Sequence, residues 1–129
     1  MWKYMAACLL AVLLLPATAW AQTKAALDAC HDQPTTVAIV DCLAKLTKQA
    51  DRRLNENYQK MLKITELDGI EAVRASERAW LQYRKQRCTY RTAGGGTIVQ
   101  ILGADCMATM TKARADELES DAQGMAGPG

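Results

Sequence analysis

The sequence predicts an all-α fold: a three-helix antiparallel bundle with an N-terminal arm, stapled by two disulfides. Apolar residues recur at spacings of three and four along three long stretches, and no useful length alternates with period two. Pro34, Gly69 and the triple glycine Gly94, Gly95 and Gly96 fall where those stretches would end. Cys30, Cys42, Cys88 and Cys106 remain once an N-terminal leader is set aside, an even count that implies two bridges in an oxidising compartment.

The leader is the segment MWKYMAACLLAVLLLPATAWA, residues 1–21. Lys3 and the free amine precede an apolar run from Met5 to Leu15, Pro16 breaks it, and Ala19-Trp20-Ala21 forms an A-x-A cleavage site, the pattern of a secretory signal peptide cut after Ala21. The run is shorter than the ~20 residues of a spanning helix. Cys8 does not stand at the cleavage point, where a lipidated first residue would lie. The expected product is periplasmic or secreted, with no membrane anchor after cleavage.

Gln22 to Gln33 reads as a short helix or loose arm that ends near Pro34. Thr35 or Thr36 then caps a long helix in which Leu43, Leu46, Ala50, Leu54, Tyr58 and Met61 form the stripe. Leu67-Asp68-Gly69 is a turn, with Asp68 a candidate cap for a second helix running through Ile70, Val73, Trp80 and Cys88 to about Thr92. A third helix starts at Thr97 and carries Ile98, Leu102, Cys106, Met110, Ala113 and Leu118, with Gly103 expected to break it. The helical domain therefore covers residues 22–119, and the Gly- and Pro-containing tail, 120–129, is expected to be disordered.

Of the three possible disulfide pairings, the sequence-local one, Cys30 to Cys42 and Cys88 to Cys106, is simplest. With Gly95 at the hairpin apex, Cys88 lies seven residues before it and Cys106 eleven after. At ~1.5 Å per helical residue their heights differ by about 6 Å, which a loose start to the third helix absorbs. The other two pairings remain open at this level.

The second helix also turns charge inward. Positions 70, 73, 77, 80, 84 and 88 keep helical spacing, so Glu77 and Arg84 share a face with Ile70, Val73, Trp80 and Cys88. Asp51 and Asn55 flank Leu54 on the first long helix, and Arg114 lies between Met110 and Leu118 on the third. Because a buried charge without a partner is costly, the expected arrangement is a polar clasp. In it Asp51 and Asn55 meet Arg84, and Glu77 meets Arg114 or another base. The competing reading makes Glu77 and Asp51 an acid and base pair, but no spacing shows two carboxylates converging on a cleft.

These residues carry a resemblance. Ala50, Asp51, Leu54, Asn55 and Tyr58, then Arg78, Ala79, Trp80, Tyr83, Arg84 and Cys88, then Cys106, Arg114 and Leu118 make an ordered pattern that resembles the LprI-type lysozyme-inhibitor family of exported bacterial proteins. The match runs from about Cys30 to Leu118. It implies a small helical envelope protein that inhibits lysozyme. The chain departs from the pattern at Glu77, where the family usually has Gln, and at Lys85, where it often has an acid.

Other chemistry is poorly supplied. His31, the single histidine, follows Cys30, but a half-exposed histidine beside a disulfide accounts for it better than a Cys-His nucleophile. No CxxC or HExxH occurs, so neither metal nor cofactor is expected. The triple glycine lacks the preceding strand and following Lys of a phosphate loop and reads as a hairpin tip. Arg91, Gly94, Gly95, Gly96 and Thr97 form the candidate partner-binding element there, a flexible projection closed at its base by a Cys88 to Cys106 bridge.

Without Lys3, 15 basic residues face 14 acidic ones, a net of +1 that favours neither nucleic acid nor an anionic membrane. Charge is uneven: Arg74 to Arg91 holds six basic residues and one acidic, and Asp105 to Asp121 five acidic and two basic. Common lysozymes are cationic and gain little long-range attraction from a net of +1, so the acidic stretch is the expected compensation. The sequence therefore points to a protein that binds instead of catalysing, blocking lysozyme or a related peptidoglycan hydrolase by occlusion. The alternative is a structural or adaptor module for another envelope protein.

Overall fold

The structure, a computed structural model, describes residues 19–127. The expected signal peptide lies outside them apart from its last three positions. Four helices follow one another, α1 (Ala19–His31), α2 (Thr36–Ile64), α3 (Ile70–Arg91) and α4 (Ile98–Met125), with no strand among the described residues. The expected arm is thus a fourth helix. It is held at its end by the Cys30–Cys42 bridge and by Leu27, which packs with Ile39, Leu43 and Leu46.

Thr35 caps α2: its backbone is extended and its hydroxyl accepts from the Ala38 amide at 3.1 Å. Asp68 does not cap α3. Gly69 takes that place without a side-chain bond, and a Cβ there would meet Thr65 Cγ2 at 2.7 Å.

α4 is unbroken at Gly103, contrary to the expected interruption, because the glycine makes room for a neighbour. A Cβ at Gly103 would stand 2.6 Å from Thr92 Cγ2, so the missing side chain lets the end of α3 close onto α4 beside the Cys88–Cys106 bridge. α4 also continues to Met125, through residues expected in the tail, with Ala122 packed on the core.

The layers are unequal. α2 and α4 run parallel and make the main interface, Leu43 meeting Ala108 near one end and Leu54 and Met61 meeting Ala115 and Leu118 near the other. α3 returns antiparallel against α4 and barely touches α2. α4 is therefore the central helix and buries residues towards two neighbours, Ala108, Thr111, Arg114, Ala115 and Leu118 among them. Ile98 and Ala113, expected in its stripe, are exposed.

Candidate functional site

Trp80 organises the polar residues between α3 and α4. The Arg84 guanidinium lies 4.9 Å from its ring centroid and that of Arg114 5.8 Å, both within cation–π range. Arg84 Nη1 donates to Asp51 Oδ1 at 3.1 Å and to Thr111 Oγ1 at 2.7 Å, linking α3 to both neighbours. Arg114 donates from Nε to Glu77 Oε2 at 3.0 Å and from Nη2 to Ser76 Oγ at 3.1 Å, and its Nη1 pairs with Glu117 at 3.0 Å. Burial works against the charge on Arg114, yet the bonds to Glu117 and Glu77 outweigh it and hold its pKa above the ordinary value.

Of the five residues expected in the clasp, four meet in these pairs and Asn55 does not. Asn55 is exposed, and the buried amide on α2 is Asn57, whose Nδ2 donates to the Ala115 carbonyl at 3.1 Å. Thr111, fully buried, was also missed. Both stood on legible series: Asn57 between Leu54 and Met61, and Thr111 between Ala108 and Ala115.

The tip lies at the far end of α3. Cys88 and Cys106 are bridged with Cα atoms 5.5 Å apart, and Cys30 and Cys42 with Cα atoms 5.3 Å apart. Arg91, Gly94, Gly95, Gly96 and Thr97 are all exposed. Gly94 at φ 145° and Gly96 at φ 87° adopt backbone that side-chain-bearing residues rarely reach, and space is open around Gly95. Tyr90 and Ile98 stand exposed at the tip's two roots.

The acidic stretch of α4 is largely engaged within the protein. Asp105 meets His31 at 2.9 Å, Glu117 meets Arg114, and Arg53 donates to both Asp116 and Glu119 at 2.6 Å. Burial would raise the Asp116 pKa, but the bonds from Lys112 and Arg53 prevail and hold it below the usual carboxylate value. That stretch is therefore a weak source of attraction for a cationic partner. Among the described residues Arg78, Lys85, Arg87 and Arg91 make no ion pair; all four are exposed on α3, as are Tyr83 and Tyr90.

Among the described residues no group of three or more His, Cys, Asp or Glu could hold a metal ion, and no helix is long and apolar enough to cross a membrane. Cys30, next to His31, is committed to a disulfide. The carboxylates of Asp51 and Glu77 each face a guanidinium.

A family model described as lysozyme inhibitor LprI matches residues 26–118, from the end of α1 to the buried part of α4. The chain belongs to this family. The LprI match takes in both disulfides, the tip and every charged pair around Trp80. The chain is also similar to the uncharacterized protein R02472 of Rhizobium meliloti (strain 1021), with 26% identity over 122 residues covering 83% of this chain and 88% of that protein. No solved structure matches it.

Proposed function

We propose that this LprI-family protein is exported and blocks lysozyme or a related peptidoglycan hydrolase by occlusion, without catalysis of its own. Family membership across residues 26–118 is the observation that carries the reading. The inserted element is the tip of Arg91, Gly94, Gly95, Gly96 and Thr97. Its disulfide base limits the entropy lost on docking, and exposed Tyr90 and Ile98 offer apolar area beside it. Asp51, Glu77, Arg84 and Arg114 act as a structural clasp that ties α3 to α4 and, through Asp51, to α2. Carboxylates tied to guanidinium groups are poorly placed to exchange protons with a substrate.

A second reading, an adaptor for another envelope protein, is favoured by the α3 surface. Four exposed basic side chains with no ion pair among the described residues, on a helix that also exposes two tyrosines, suit an acidic partner better than a cationic one.

Clearing of a bacterial cell-wall suspension by lysozyme, with and without the purified oxidised protein, tests the choice. Slowed clearing at micromolar protein supports inhibition. Unchanged clearing removes that reading in favour of the adaptor, and wall lysis by the protein alone would contradict both.

A further inference from the structure

Three residues of α3 stand in line and uncovered. Tyr83, Arg87 and Tyr90 are spaced four and three apart, the spacing that puts side chains on one side of a helix. Tyr83 is 56% and Tyr90 69% exposed, and Arg87 between them is exposed with no ion pair among the described residues. From Arg78 to Arg91 the helix holds no acidic side chain that could neutralise it. The other exposed cations of this half fall elsewhere. Arg78 lines a groove against α2 with Leu54 and Tyr58, and Lys85 lies with Thr89, Thr92 and Gly103. The line is therefore two bare aromatic rings with one free guanidinium between them, which suits a ligand with apolar faces and an anionic branch.

The spacing narrows that ligand. Tyr83 and Tyr90 stand seven residues apart, about 10.5 Å along the helix. One disaccharide of a β-1,4-linked glycan has that length, and such a chain offers the same pyranose face once per disaccharide. In peptidoglycan every second sugar also carries an acidic peptide stem. We propose that Tyr83, Arg87 and Tyr90 bind a peptidoglycan strand. The two tyrosine rings stack on alternate sugars, and the Arg87 guanidinium pairs with a carboxylate of the stem on the sugar between them. The sugar hydroxyls stay in water, so a flat, open surface is sufficient. The inference goes beyond the proposed inhibition, because it makes the wall itself a partner and holds the protein where a hydrolase works, raising its local concentration there.

The test is co-sedimentation of the full oxidised protein with purified insoluble sacculi, with chitin as a neutral glycan of the same linkage and soluble poly-glutamate as competitor. The protein should pellet with sacculi and, more weakly, with chitin. Tyr83→Ala and Arg87→Gln, exposed changes that leave the melting temperature intact, should each weaken binding to sacculi by about tenfold. Arg87→Gln should leave the weaker binding to chitin unchanged. Lys85→Gln removes the same charge from another side of the helix and should bind as the parent does. No pelleting with sacculi, or an equal loss in Lys85→Gln, would overturn the proposal. So would full displacement by poly-glutamate with no retention on chitin, which would point to an acidic protein partner. Lysozyme acting on a short soluble chitin oligosaccharide separates this site from the inhibition, and Tyr83→Ala should slow that reaction as the parent does. Wall binding with no slowing would keep the strand site and remove the inhibitor reading. Slowing with no pelleting would do the reverse.

Discussion

Glu77 of α3 and Arg114 of α4 meet at 3.0 Å with each side chain only 8% exposed. Two opposite charges are thus almost wholly removed from water, and neither tolerates loss of the other. Arg114→Met should destabilise the protein by about 3 kcal/mol by leaving Glu77 buried and unpaired. The double change Glu77→Leu with Arg114→Met should recover most of that loss. Urea denaturation of the three proteins reads both effects, and a double variant as weak as the single one would show that the pair contributes more than mutual neutralisation.

The close approach of Gly103 and Thr92 gives a second test. Thr92 is pinned by its own hydroxyl, which donates to the Thr89 carbonyl at 2.7 Å, so its methyl cannot readily turn away from an added Cβ. Gly103→Ala should therefore cost about 1–3 kcal/mol, the usual penalty of overpacking. Thr92→Ser keeps the hydroxyl and removes the methyl, and combined with Gly103→Ala it should restore the melting temperature. Failure of that rescue would mean that the helix approach is limited by some other contact.

Asp116 makes stability depend on pH. Its folded pKa is lowered by Lys112 and Arg53, so its contribution is fully present above the ordinary carboxylate pKa of about 4 and is lost as pH falls through the lower folded value. Asp116→Asn should thus be less stable than the parent at neutral pH, and the gap should close in the acid range. The effect is small, because the carboxylate is 42% exposed and screened by solvent. Thermal unfolding of both proteins across that range measures it, and a gap that widened on acidification would contradict the assignment.

Much of the interior could be read from helical spacing. The series 70, 73, 77, 80, 84 and 88 places Glu77 and Cys88 in the interior with Trp80 and Arg84 half-buried, because one periodic face of α3 has only α4 to pack against. Asn55 was misplaced for a reason of arrangement. Both Asn55 and Asn57 border Leu54, and which edge is covered depends on where the neighbouring helix lies. Three mutually packed helices would cover the Asn55 edge. With α4 central and α3 scarcely touching α2, the covered edge carries Asn57 and the Asn55 edge stays exposed. Gly103 was misjudged similarly, since a glycine that weakens an isolated helix is here what allows two helices to approach.

The tip is the point at which the proposed inhibition can be tested most directly. Gly95 has open space where its side chain would project, so Gly95→Trp adds bulk at the apex without disturbing the bundle. If the tip enters the hydrolase cleft, this variant should keep its melting temperature and lose inhibition of wall clearing by at least tenfold. Undiminished inhibition by Gly95→Trp would show that the tip stays outside the cleft and would contradict the account.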